Sequence, residues 1–264
     1  MVVAGRFYPG AAAALTKLLD EYLKEPPADL KSPLAVFAPH AGYLYSGKIA
    51  GDIYKSILVP NTVIVLCPNH TGGGPRIALW GKGSWKTPLG PVPIDEDFAS
   101  ELLKNEGKIL LDQSAHAHEH AIEVHLPFLL KRNPKVKIVP ITLGRLRFDD
   151  IEWLGNALAK TIQKHWEKAL VVASTDMSHY LPAKEAEKKD APALQKIEAL
   201  DAKGLYQVVV ENQISMCGYL PTATALVAAK TLGAKACEVV TYGNSGMTSG
   251  NYESVVAYAS GWIG

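Results

Sequence analysis

The chain has 264 residues, 48% of them hydrophobic, and its 27 basic and 26 acidic side chains leave a formal net charge of +1. That length buries a substantial core as one large domain, and so even a charge balance excludes the basic stripe of a nucleic-acid or membrane-surface binder. Three scattered cysteines (Cys67, Cys217, Cys237) exclude a disulfide framework, and no apolar run approaches the roughly 20 residues of a membrane span. With no signal-peptide pattern around Arg6, the expected compartment is the cytoplasm.

In chain order, residues 2–4 read as a short strand before a breaker-rich turn, residues 5–10. Leu15, Leu18, Leu19, Tyr22 and Leu23 recur at helical spacing and stop before Pro26-Pro27. The apolar run 34–38 reads as a buried strand leading to His40, and Ser46 is expected to cap a helix carrying Ala50, Ile53, Tyr54 and Ile57. A second buried strand, Val63-Ile-Val-Leu-Cys-Pro-Asn-His70, runs into glycines 72–74. A strand over 77–80 then precedes a Gly-, Pro- and Trp-rich loop, 81–93, and Asp95 caps a helix to Asn105 closed by Gly107. After a brief strand, 109–111, comes a His- and Glu-rich segment, 114–127, then a buried strand over 136–143. Asp149 starts an amphipathic helix through Ile151, Leu154, Leu158 and Ile162.

A third buried strand, Leu170-Val-Val-Ala-Ser-Thr-Asp176, leads to His179, and residues 184–190 read as a charged, solvated stretch. Leu194, Ile197 and Leu200 mark a helix and residues 205–210 another, while Pro221 and Gly233 bracket a further one. Residues 237–242 and 253–262 read as closing strands around a turn-forming loop, 243–250. No repeat and no linker interrupts the chain, so residues 1–264 are read as a single α/β domain.

Three buried strands that each deliver a histidine just past the carboxyl end place His40, His70 and His179 on one edge of one sheet, where open α/β sheets bind ligands. Imidazole and thiolate ligate zinc, iron and copper alike, so His40, His70 and Cys217 form a candidate metal set without choosing the metal. Cys217 lies just before a helix, whose amino-terminal dipole would lower a thiol pKa. The competing reading makes each histidine a buried, hydrogen-bonded residue and Cys217 a small core hydrophobe. Asp176 and His179 suit a ligand, an orienting group or an acid–base pair, against an Asx-turn beside a surface histidine. The segment His118-Glu-His-Ala-Ile-Glu-Val-His125 is not a metalloprotease helix, because the second histidine of that motif would fall at Ile122. It is expected to line the site wall and contact substrate, with a polar helix start as the competing explanation. Glycines 72–74 lack the Lys-Ser/Thr of a P-loop and are read as clearing space for His70.

Taken together, Pro39-His-Ala-Gly-Tyr43, Pro68-Asn-His70, Glu119-His-Ala-Ile-Glu-Val-His-Leu-Pro127, Ser174-Thr-Asp-Met-Ser-His179 and Met216-Cys-Gly218 resemble the MEMO-like proteins, relatives of the class III (LigB-type) extradiol dioxygenases. The resemblance implies a mixed, mostly buried β-sheet flanked by helices on both faces. It implies metal residues His40, His70 and Cys217, with Asp176 and His179 near them in the catalytic role, while Tyr43, His120, Glu123 and His125 are expected to contact substrate. It further implies Fe(II), with copper or zinc as substitutes, redox chemistry with dioxygen, and a small aromatic or phenolic substrate or a peptide as partner. The departure from extradiol enzymes is Cys217, a thiolate where those enzymes use a carboxylate. Two alternatives stand beside this expectation: a zinc-dependent hydrolase with Asp176 as base, and a metal- or peptide-binding adaptor without turnover.

Overall fold

The computed structural model of the chain describes residues 1–105, 107–165 and 168–264. Eleven strands are described: β1 (Ala35–Ala38), β2 (Thr62–Pro68), β3 (Ile77–Leu79), β4 (Ser84–Thr87), β5 (Gly90–Pro93), β6 (Leu110–Leu111), β7 (Lys137–Leu143), β8 (Leu170–Ser174), β9 (His179–Leu181), β10 (Cys237–Asn244) and β11 (Val255–Ile263). Among the described residues nine α-helices accompany them: α1 (Ala12–Tyr22), α2 (Tyr43–Lys55), α3 (Glu96–Leu103), α4 (Leu126–Arg132), α5 (Phe148–His165), α6 (Ala183–Glu198), α7 (Ala202–Glu211), α8 (Tyr219–Thr231) and the short α9 (Gly246–Ser249).

The main sheet runs β10-β11-β1-β8-β2-β7-β3-β6, with β9 added against β11. Its centre, β1-β8-β2-β7, is parallel, while β3 pairs with β7, and β11 with β1, β9 and β10, antiparallel. The central strands are the continuous apolar runs of the sequence, because both of their faces are covered. Alternation divides their side chains between two cores. Phe37, Ile64, Leu66, Val171 and Ala173 face Ile151, Leu154, Leu158, Leu205 and Leu226 of α5, α7 and α8. Val36, Val63, Val65 and Val172 face Leu15, Leu19, Ile53, Tyr54 and Phe128 of α1, α2 and α4. This is the mixed sheet with helices on both faces that the sequence implies. No helix among the described residues is long and apolar enough to cross a membrane.

Four local readings differ from expectation. The loop over 81–93 contains a hairpin, β4 with β5, whose Trp85 and Val92 pack inward. The charged stretch 184–190 belongs to α6, whose inward stripe of Ala186, Asp190, Ala193 and Ile197 has helical spacing although most of the segment is polar. Helix α2 starts three residues before Ser46, at Tyr43 with Gly42 in the cap position, and the Ser46 hydroxyl bonds back to the Ala41 carbonyl at 3.0 Å instead of capping. In 243–250, β10 continues to Asn244 and α9 follows.

Candidate metal centre

The parallel centre of the sheet aligns three strand ends. Ala38 of β1 sits opposite Ser174 of β8, and β8 lies between β1 and β2. His40, Asp176 and His70 each stand two residues past the end of their strand. The chain ends the strand at each position to free a side chain, and parallel register brings the three to one edge.

His40, His70 and His120 present ligand atoms that all lie within 4.8 Å of one another. The His70 and His120 rings stack at 4.9 Å, and His40 meets them edge-on at 5.2 and 5.5 Å. Cys217 Sγ lies 3.3 Å from His40 Nε2, and the Asp176 carboxylate is 3.9 Å from the same nitrogen. The third imidazole is therefore His120, expected from sequence as a substrate contact, while Cys217 is a neighbour of His40 and no member of that cluster. Three imidazoles with a thiol beside them are a donor set that fits a divalent transition metal.

Each histidine is aimed by a buried partner. Glu119, fully buried, accepts His70 N–H at 2.7 Å and His70 Nδ1 at 2.9 Å, together with the amides of His120 and Ala121. Burial alone would favour neutral His70, but the hydrogen bond and charge of Glu119 outweigh it and raise its pKa. Glu119 is correspondingly lowered despite its burial, by His70 and the surrounding amides. Burial, reinforced by the neighbouring imidazoles, holds His40 well below its usual value, and burial also lowers His120. Asp176 accepts the His40 amide at 2.8 Å, and burial pushes it up to about 6. For Cys217 the outcome opposes the dipole expectation: burial, with Asp176 adding, raises the thiol more than the amides at the α8 start lower it.

A cavity of about 590 Å³ opens beside the cluster, lined by His40, His70, His120, Asp176 and His179 together with Arg6, Phe7, Tyr45, Tyr180 and Tyr258. His179 Nδ1 is 2.9 Å from the Ser215 carbonyl, which only accepts, so Nδ1 carries the proton and Nε2 remains available. Ser178, one residue earlier, is pinned through its amide and hydroxyl by buried Asp190 of α6.

Three residues expected as substrate contacts do not line this cavity. Tyr43 is buried and donates to the Val124 carbonyl at 2.6 Å. His125, fully buried, lies between Tyr54 and Ser174. Glu123 accepts the amides of Val2 and Val3 and the Tyr8 hydroxyl, tying down the segment that carries Arg6 and Phe7. Glu119, Ser174, Asp190 and Ser215 are the structure's additions. Ser174 carried a signal in the sequence, a polar residue closing an apolar run beside Asp176, whereas Asp190 lay hidden among lysines.

The Memo-like protein family profile matches residues 1–262. A MEMO1 family protein of Methanothermobacter thermautotrophicus is 39% identical over 268 residues, covering 97% of each chain. One from Aquifex aeolicus is 42% identical, covering 97% of this chain and 95% of that one, and one from Sulfurisphaera tokodaii is 41% identical over 98% and 96%. The crystal structure of an uncharacterized protein from Escherichia coli K12 superposes with a TM-score of 0.52 at 16% identity, over 85% of this chain and 98% of that one, a likeness of fold alone. With a whole-length profile match and relatives near 40% identity, the chain belongs to the Memo-like family.

Proposed function

We propose that the chain is a metal-dependent oxidoreductase that uses iron(II) and dioxygen on a small phenolic substrate. The observation that supports this most is the cluster of His40, His70 and His120 on a cavity that also carries Phe7, Tyr45, Tyr180 and Tyr258. His40, His70 and His120 would hold the metal, with Cys217 as an adjacent soft donor, and the same set suits copper or zinc. Bound there, iron would supply the one-electron chemistry that dioxygen requires. The aromatic walls would take the substrate ring. His179 would exchange a proton with a substrate hydroxyl through Nε2, its Nδ1 being engaged by Ser215. The sequence resemblance to class III extradiol dioxygenases points the same way.

A zinc hydrolase is the second reading. Three histidines leave an open position as in hydrolytic zinc sites, and Asp176, raised to about 6, is poised as a base.

The test loads protein purified without air with either iron(II) or zinc. Dioxygen uptake and oxidised product from simple catechols should appear with iron alone. His179→Ala should cut that turnover by about 10²-fold or more at unchanged iron content. Loss of iron with the variant would reassign His179 as a ligand. Hydrolysis of model esters by the zinc form, without dioxygen uptake by the iron form, would favour the second reading. No turnover in either form would favour an adaptor.

A further inference from the structure

Behind the cluster runs a chain of polar groups, of which only His40 and Cys217 carry a role above. The Ser174 hydroxyl, fully buried at the end of β8, has three neighbours: the Ala121 carbonyl at 2.7 Å, His40 Nδ1 at 2.7 Å and His125 Nε2 at 2.8 Å. A hydroxyl has one proton to give and two lone pairs. A carbonyl can only accept, so the serine proton goes to Ala121. Both imidazole nitrogens must then donate. His40 therefore carries its proton on Nδ1, and His125 carries its own on Nε2. The remaining His125 nitrogen, Nδ1, lies 3.0 Å from the Tyr54 hydroxyl and accepts from it. At the other end, His40 Nε2 is left as a bare lone pair, 3.3 Å from Cys217 Sγ, whose thiol proton it can accept. Every donor and acceptor in the chain is used once, and no alternative arrangement satisfies the Ala121 carbonyl and both imidazoles together.

We infer that Ser174 is a positioning residue that locks His40 in the Nδ1–H tautomer, with His125 and Tyr54 as its buttress, so that Nε2 points into the cluster unprotonated. The consequence for metal binding rests on the reading of His40 as a ligand; the tautomer itself belongs to the metal-free protein. The lock differs from the one on His70, where a carboxylate, Glu119, takes the Nδ1 proton. A neutral acceptor orients His40 without adding the negative charge that strengthens His70 as a base. The two ligands are thus held by partners of different charge. His125 then needs no place in the cavity: its service is to fill the second lone pair of Ser174, which would otherwise be buried without a donor.

The experiment is nitrogen-15 NMR of the imidazoles in the metal-free, full-length protein, followed by titration with zinc ion alone. The expected wild-type spectrum shows His40 protonated on Nδ1 with Nε2 bare, and His125 protonated on Nε2. Ser174→Ala should release both rings into mixed tautomers and weaken zinc binding by about 10–100-fold. Ser174→Thr, which restores the hydroxyl, should recover the tautomers and the affinity. A wild-type His40 protonated on Nε2 overturns the inference without any variant having to fold. So does a Ser174→Ala protein with both tautomers and zinc affinity unchanged. Zinc that leaves the His40 and His70 signals unmoved, while the wild-type tautomers are as stated, would sink the metal reading and leave the lock standing.

Discussion

Glu119 is the single residue on which the histidine cluster most depends. A fully buried carboxylate is costly unless paired, and this one collects four N–H donors, two of them from His70. Its Oε1 also lies 3.4 Å from His120 Nδ1, so one carboxylate contacts two of the three clustered imidazoles. Glu119→Gln preserves size but removes the charge and turns one acceptor into a donor facing N–H groups. Zinc affinity should fall by about 10–100-fold, measured by competition with a chelator of known strength. An affinity equal to wild type would mean that packing alone orients His70. Glu123, four positions on, looks equivalent in the sequence and serves a different end. Its partners are Val2, Val3 and Tyr8, more than 110 positions away, which local pattern does not reveal. Glu123→Ala should free the amino-terminal segment and loosen the edge contact of Phe7 on His120, now 5.0 Å between ring centres. The check is faster amide hydrogen exchange over residues 2–8; unchanged exchange would show that the segment is held by its apolar contacts.

At the scale of elements, the close packing of the α8 start on the end of β8 sets where Cys217 stands. Gly218 precedes α8, and a Cβ there would collide with the Ser174 carbonyl and the Thr175 side chain. Its amide also bonds Thr175 Oγ1 at 3.1 Å. Gly218→Ala should therefore cost about 1–3 kcal/mol and push Cys217 away from His40. Thermal unfolding reads the first effect and the alkylation rate of Cys217 the second; a variant as stable and as unreactive as wild type would mean that the junction yields without cost. The sequence exposed the elements that are self-sufficient in pattern. Strands β1, β2, β7 and β8 are built on apolar runs because both faces are covered, and the ends of β1, β2 and β8 announced His40, His70 and Asp176. The first half of α6 escaped because its inward side there carries only Ala186 and the buried Asp190, whose partners Ser178 and Tyr242 lie elsewhere in the chain; Leu194 and Ile197 had marked only the second half. The third histidine of the cluster escaped for a related reason. Its segment is neither helix nor strand at His120, so no periodicity says which way the ring points.

Across the whole molecule, the buried imidazoles make stability depend on pH in a direction that can be worked out. His125 lies fully buried between Tyr54 and Ser174, and burial lowers its pKa from 6.5 to about 3. His116 is lowered to about 4 by burial, and His40 is well below its usual value. A histidine depressed in the folded state contributes stability that is fully present above about pH 6.5, its unfolded value. As pH falls below that, the unfolded chain takes up a proton that the native state refuses, and stability is lost until the folded pKa is reached. Asp176 runs the other way: raised to about 6, it binds its proton in the folded protein first, so folding gains as pH falls through 6. The overall profile is therefore a compromise, and a difference between two proteins isolates one contributor. His125→Gln removes one titrating imidazole while leaving Asp176, His116 and His40 in place. The variant should be less stable at neutral pH, having lost the matched contacts to Tyr54 and Ser174. The gap should then narrow on acidification, by up to about 1.4 kcal/mol per pH unit between pH 6.5 and 3. Urea unfolding of both proteins at several pH values measures it. A gap constant over that range would show that His125 is protonated in the native state, and would break the hydrogen-bond chain to Ser174 along with this account of its acid sensitivity.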